Sequence, residues 1–336
     1  MSSSYIDSSS QSRDNLHAVA NGSHSTGKTW PDLSLDSLYE RLYSSSEPKH
    51  VHAAMDDLFI GLRNIKLRCS PAEWTALVDQ CRRHPLCQLV HEDPFTFRAS
   101  SKPRGYAGDA VMMDFIYGRE EQWQPPPASP LGAAIFDYTT AAPASEGVRA
   151  RRAFIASHID RLAEATHRPN ILAIAAGHLR EVDLSATVRR RKFGKFVALD
   201  ADPLSSAEVE RSYGRLGVET VTATFRRLLA DEPREKEFDL VYSTGLFDYL
   251  SQRAARRLVR SMFGMLRPGG SLLVANFLPG IRDLGYMESF MDWQLVYRNR
   301  SDMVDLTMDI SEDEIDRVTL FSEECRNILF LQVTRK

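Results

Sequence analysis

Gly177, in the segment AAGHLRE, ends the apolar run NILAIAA of residues 170–176. Asp200 ends the next such run, KFVALDAD of residues 195–202. A glycine at the end of a strand lets backbone approach a ligand closely, and the helix start beyond it offers free N–H groups. A carboxylate at the end of the following strand can accept both hydroxyls of a ribose. A pyrophosphate-binding turn needs the spacing GxGxxG, and here only one of those glycines is present. The pair therefore points to an adenosine ligand carrying something other than a pyrophosphate. In a doubly wound sheet, ligands bind outside the carboxyl ends of the strands. That rule adds two more positions, the residues after VYS at 241–243 and the loop after VANF at 274–277.

Strands must place these residues. Apolar runs at 170–176, 195–202, 218–225, 238–245 and 271–277 alternate with helical patterns, and two more runs, 316–321 and 327–336, close the sequence. Such alternation predicts a parallel sheet covered on both faces. The last two runs are joined by the short turn SEEC and should pair as a hairpin, adding an antiparallel strand at or near the edge. A helix through Leu266 is expected to stop at RPGG. The first third reads as helices: Leu33, Leu35, Leu38 and Leu42 form one stripe, and SPAEW at 70–74 is a helix start with Ser70 as cap. A short helix should run from Asp109 to Tyr117, and another from Ala144 to Ala165. The predicted class is α/β, a doubly wound seven-stranded sheet, mostly parallel with an antiparallel terminal strand, behind an N-terminal helical domain. The predicted units are a Ser-rich disordered tail at 1–30, a helical lid or substrate domain at 31–140, and a Rossmann-like domain at 141–336. The segment QWQPPPASP at 122–130 reads as a Pro-rich loop.

Composition narrows the function classes. The 336 residues carry a net charge of −3, which gives no bulk electrostatic attraction to nucleic acid or to an acidic membrane. The basic run VRRRKFGK at 188–195 reads as a solvated face. No apolar stretch is long enough to span a bilayer, and the N-terminus lacks the apolar core of a secretory signal. Cys69, Cys81, Cys87 and Cys325 are too few for a disulfide scaffold and fit a reducing compartment, so a cytoplasmic location is expected. They form no CxxC pair, and no metal site is expected.

The order of elements from about 145 to 336, the glycine loop, the acid after the second strand and LRPGGSLLVANF together resemble the class I S-adenosylmethionine-dependent methyltransferases. The first loop departs from the usual LDIGCGxG form: Ala173, Ala175 and Leu179 stand where Asp, Gly and Gly are expected. A narrower resemblance, to a bacterial subgroup acting on fatty-acid-derived signals and natural products, rests on KPRGYAGDAVMMDFIYG, STGLFDYL and NFLPGIRDLGYMESFMDWQLVYRNRSDM.

The resemblance implies S-adenosyl-L-methionine as cofactor. Its contacts would come from Ala175, Gly177, Asp200, Ala201, Thr244 and Gly245, with Glu181 meeting the ammonium group and Thr224 and Phe225 near the adenine. The RGYAGD loop would close over the cofactor with Arg104 and Tyr106. Asp109, Tyr117, Phe247, Asn276, Trp293 and Tyr297 are candidates for holding the acceptor, and Tyr106, His178, Asp248, Tyr249 and Glu288 for catalysis. Each has a plainer alternative: Asp109 and Asp248 as helix caps, Phe247 as core packing, Glu288 in a salt bridge with Arg298 or Arg282 on a helical stretch that also bears Trp293 and Tyr297. The favoured acceptor is a small apolar or aromatic natural-product molecule such as an indole alkaloid precursor. A fatty-acid carboxylate, an RNA or protein acceptor and a non-catalytic cofactor-binding role are the alternatives. The expected partner is a small molecule, without nucleic acid or membrane, and a homodimer is compatible with the sequence.

Overall fold

The computed structural model describes residues 33–118, 128–224 and 237–336. The expected tail at 1–30, most of the Pro-rich loop, Trp123 and Phe225 lie outside the described residues.

Seven strands form one sheet in the order β3-β2-β1-β4-β5-β7-β6. They are β1 Ile171–Ile174, β2 Phe196–Asp200, β3 Val218–Thr222, β4 Phe238–Ser243, β5 Leu266–Phe277, β6 Ile315–Ser322 and β7 Ile328–Arg335. The first five pair in parallel. β7 runs antiparallel between β5 and β6. The switch in order falls between β1 and β4, where such sheets open a crevice.

The side-chain period of two assigns alternate residues to two cores. Ile171, Ala173, Phe196, Ala198, Leu240 and Tyr242 face the core shared with the N-terminal helices. Leu172, Ile174, Val197, Leu199 and Val241 face the other, under Leu258, Val259 and Met262 of the Gln252–Gly264 helix. Central strands buried on both faces read as continuous apolar runs, which is why ILAI and FVALD stood out in the sequence.

The front section is helical, as the sequence predicts, with Leu35–Ser44, Pro48–Lys66 and Pro71–Arg83 leading. Ser70 and Glu73 form a reciprocal capping box at the third of these. Asp109 caps the Ala110–Tyr117 helix by accepting from the Met112 N–H at 2.9 Å. The helix Pro143–Ala165 joins the front section to the sheet.

Two expectations change. RPGG is not a helix stop followed by loop: it belongs to β5, where a register shift between Phe238 and Leu240 absorbs the glycines. The stretch carrying Glu288, Trp293 and Tyr297 is helical only over Leu284–Phe290, because Asp292 takes a left-handed conformation (φ 47°) and ends it. That short helix packs on Pro48–Lys66 and Pro71–Arg83. Among the described residues, no helix is long and apolar enough to cross a membrane.

Candidate active site

The loop after β1 alternates left-handed residues: Ala175 (φ 52°), Gly177 (φ 56°) and Leu179 (φ 53°). A left-handed residue with a side chain costs on the order of 1 kcal/mol. The chain keeps a glycine-type turn with only one glycine, so other bonds must hold it. Ala176 N–H donates to the Leu199 carbonyl at 3.1 Å, and the buried Leu179 side chain pins the far end. Gly177 N–H donates to Asp200 Oδ2 at 2.7 Å. Asp200 Oδ1 accepts from Asp202 N–H at 2.8 Å. One carboxylate thus ties the β1 loop to the β2 loop, with lone pairs left for a ligand. Burial raises its pKa, against the backbone N–H groups that hold it ionised.

Both loops open on a cleft of about 410 Å³ at the carboxyl ends of the strands. Of the predicted cofactor residues, Tyr106, Ala175, Gly177, Glu181, Asp200 and Ala201 line it, as do Thr244 and Gly245 beyond β4. Glu181 is half-buried at the base, its Oε1 accepting from the Tyr242 hydroxyl at 2.6 Å, and its partial removal from solvent raises its pKa. Tyr117, His178, Asp248, Tyr249 and Trp293 complete the predicted residues that converge there.

An aromatic wall stands opposite. The ring of Tyr106 meets Tyr249 edge-on at 6.5 Å, and the Trp293 Nε1–H donates to the Tyr249 hydroxyl at 2.8 Å. Gly108 makes this packing possible, since a Cβ there would lie 2.5 Å from both Trp293 Cζ2 and the Tyr249 hydroxyl oxygen. Gly108→Ala is therefore expected to displace the wall and raise acceptor KM at least about tenfold, the scale of a one-methyl overpacking cost. Cofactor affinity, read by calorimetry, should stay within about twofold. An unchanged KM would show that the wall does not touch the acceptor.

Asp248 combines burial with a place in the cleft. Its Oδ1 accepts from Phe277 N–H at 2.8 Å. It does not cap the following helix; Ser251 does. Burial pushes its carboxyl up to about 7, with that backbone bond and the charges of Arg151 and Arg298 working the other way. A carboxyl poised near neutrality inside a cleft is suited to taking a proton.

Other predicted residues are placed elsewhere. Glu288 is outside the cleft and pairs with neither Arg298 nor Arg282. Its Oε2 accepts from Lys66 Nζ at 2.8 Å and Trp74 Nε1 at 2.7 Å, tying helices of the front section together. Glu288→Ala should cost about 1–3 kcal/mol of stability by leaving those donors unpaired, with kcat unchanged. A loss of turnover without a fall in melting temperature would return Glu288 to the chemistry. Phe247 is fully buried beneath the Gln252–Gly264 helix, so packing is its role. Asn276 is spent on Arg298 and the Val296 carbonyl. Tyr297 packs against the front core rather than lining the cleft. Asp109 is sealed by its cap and by Arg98 at 2.7 Å. Thr224 is exposed, and Ala223 lines the cleft in its place.

Arg104 does not line the cleft directly; it braces the β1 and β2 loops, donating to Asp202 at 2.9 Å, Ser205 at 3.2 Å and His178 Nε2 at 3.2 Å. His178 lines the cleft but is fully engaged. Asp114 accepts at Nδ1 (2.8 Å), and arginine can only donate, so the Nε2 lone pair is used. It is a link in a network, not a free base. Burial favours a neutral Asp114, but hydrogen bonds from Arg180 and His178 outweigh it and hold its carboxyl at about 2.

Sequence reasoning missed that network and missed Arg151, which is buried in the cleft wall. Arg151 sits in SEGVRARRAF, where its neighbours make it look like one more solvated charge.

Residues 171–270 match a family model described as a methyltransferase domain. No curated protein matches the sequence. A solved structure described as a possible exported protein from Bordetella parapertussis is similar in fold, at 14% identity and TM-score 0.55, over 80% of this chain and 97% of that one. The magnesium protoporphyrin IX methyltransferase of Synechocystis PCC 6803 with bound SAH matches at 11% identity and TM-score 0.43, over 57% and 87%. The N-methyltransferase NodS of Bradyrhizobium japonicum WM9 in complex with S-adenosyl-L-homocysteine matches at 16% identity and TM-score 0.39, over 54% and 85%. The matched segment runs from β1 into β5 and contains Gly177, Asp200 and Asp248. The chain carries a methyltransferase domain.

Proposed function

We propose that this methyltransferase uses S-adenosyl-L-methionine and acts on a small apolar or aromatic acceptor, enclosed between the sheet and a front section that serves as a lid. The observation that carries the reading is the convergence of Gly177, Asp200 and Glu181 at the cleft base beneath the Tyr106–Tyr249–Trp293 wall. The residues present fit that cofactor. The Asp200 carboxylate has lone pairs for a ribose, Ala175 and Gly177 present backbone without bulk, and the half-buried Glu181 carboxylate suits an ammonium group.

When bound, the cofactor supplies an electrophilic methyl group. The protein's share is position, dryness and proton removal. The aromatic wall orients a flat or apolar acceptor at roughly 3 Å and excludes water. Asp248 takes the proton from an acceptor that arrives protonated, and its carboxyl near 7 keeps it partly ionised at neutral pH. The acidic chain and the apolar wall favour a small molecule over RNA. The test is a panel of candidate acceptors incubated with labelled cofactor and read by mass spectrometry, preceded by calorimetry with S-adenosylhomocysteine. No heat at millimolar ligand would defeat the cofactor assignment.

A further inference from the structure

Most buried arginines of this protein have their charge matched. Arg180 meets Asp114 and Glu208 at 2.7 Å each, and Arg335 meets Glu314 at 2.7 Å. Arg298 spends its donors on Gln252, Phe247, Asn276 and Leu250. Arg151 differs: it is 6% exposed and, among the described residues, has no carboxylate within ion-pair distance. Its guanidinium donates to the Thr244 carbonyl, to Met113 Sδ at 3.9 Å and to the Tyr117 hydroxyl. A thioether is a poor acceptor, and a guanidinium offers five donors. A buried cation so weakly matched is costly to keep unless a ligand completes it.

Its surroundings say which ligand. Arg151 lines the cleft from the Pro143–Ala165 helix, which packs on the Arg180–Asp183 turn that carries Glu181. Desolvation raises the Glu181 carboxyl, and the Tyr242 hydroxyl and the charges of Arg152 and Arg151 work the other way. The Tyr117 hydroxyl feels both sides: desolvation raises its pKa, Arg151 lowers it and Glu181 raises it. The next arginine, Arg152, is spent on the Arg180 carbonyl at 2.9 Å and on Asp183 at 3.4 Å. Arg151 is thus a cation with donors to spare, set beside the carboxylate already placed at the cofactor's ammonium group. An α-amino acid carries its ammonium and its carboxylate on one carbon, so a site for the first needs a site for the second next to it.

We propose that Arg151 holds the α-carboxylate of the cofactor, and that Arg151 and Glu181 together form a two-charge clamp on its amino-acid end. The inference rests on the methyl-transfer reading above. The fork of the guanidinium meets the two carboxylate oxygens, while the Thr244 carbonyl fixes its orientation. The β1 loop has a single glycine for close backbone approach, so side-chain charge takes a larger share of the hold on this end. The clamp makes the site select for adenosyl ligands that keep the whole amino acid, against decarboxylated or truncated ones.

Calorimetry on the full chain tests this with three probes. S-adenosylhomocysteine keeps both charges, its decarboxylated analogue keeps only the amine, and 5′-methylthioadenosine has neither. In the parent protein the decarboxylated analogue should bind roughly ten- to hundredfold more weakly than S-adenosylhomocysteine, the scale of a hydrogen bond to a charged group. Arg151→Met should erase that preference by weakening S-adenosylhomocysteine alone, with 5′-methylthioadenosine held within about twofold. Arg151→Lys, which keeps the charge but loses the fork, should retain part of the preference and serves if the methionine variant does not fold. Glu181→Gln, whose oxygen can still accept from Tyr242, should weaken both amine-bearing ligands and spare 5′-methylthioadenosine. No preference in the parent, a preference that survives Arg151→Met, or an equal loss for all three probes in that variant overturns the proposal. So does unchanged binding of both amine-bearing ligands in Glu181→Gln. A parent that binds none of the three overturns the cofactor assignment as well, and is told apart by the missing heat with 5′-methylthioadenosine.

Discussion

Asp248→Asn is expected to lower kcat by about 10²- to 10⁴-fold, the range of general acid–base catalysis, while S-adenosylhomocysteine binds as before. The amide is nearly isosteric, and its oxygen can still accept from Phe277 N–H at 2.8 Å, so the loop after β5 should keep its shape. The parent's pH–rate profile carries the same information. With the carboxyl at about 7, turnover should rise tenfold per pH unit below that value and level off above it. In the variant that limb should vanish. Stability runs the other way. The folded-state pKa lies above the ordinary value near 3.9, so the folded protein holds this proton more tightly than the unfolded chain. The contribution of Asp248 is complete below about pH 4 and is lost as pH rises through about 7. Relative to the parent, Asp248→Asn should therefore melt higher at pH 8 than at pH 5. A flat pH–rate profile with wild-type turnover in the variant would mean that the acceptor arrives already deprotonated.

Asp200→Ala is expected to weaken cofactor binding by about 1–3 kcal/mol, or roughly 5- to 150-fold. The carboxylate has two duties, holding ribose and holding the two loops, through Gly177 N–H at 2.7 Å and Asp202 N–H at 2.8 Å. The left-handed Ala175 and Leu179 make the second duty matter, because without that tie nothing in their own chemistry favours the turn. Faster amide hydrogen exchange at residues 175–179 should accompany the loss of affinity. Calorimetry that found affinity intact would remove Asp200 from the site.

What was legible in the sequence is what depends on local pattern. Central strands announce themselves as apolar runs because both faces are buried, and the cap at Ser70 needs only residues three apart. Gly177 and Asp200 were readable because the ends of parallel strands are where such folds bind ligands. The errors come from partners distant in the chain. Glu288 looked like a pocket acid, since nothing near it in sequence reveals Lys66 and Trp74. His178 looked like a free base until Asp114 and Arg104 claimed both its nitrogens. Arg151 went unseen for the opposite reason: a run of arginines hides the one that turns inward. Phe247 and Asn276 share a simpler cause: the elements around them were read in place, but a strand end or a short 3₁₀ turn leaves the facing of a side chain to its tertiary neighbours. Tyr297 lies past the end of the Leu284–Phe290 helix on which it was expected, so its facing was misjudged with the helix.

The short Leu284–Phe290 helix sits among the front helices, bound by Arg82 to the Glu288 carbonyl and by Lys66 and Trp74 to its side chain. The front section thus receives part of its core from a segment made some two hundred residues later. As the chain is synthesised, those first helices can pack on one another, but the part of their apolar surface that Leu284–Phe290 covers stays open until most of the sheet has been translated. Contacts of such sequence separation form slowly, and the waiting surface is open to aggregation. Newly made protein should accordingly depend on a holding chaperone far more than its ordinary composition suggests, and refolding yields should fall as concentration rises.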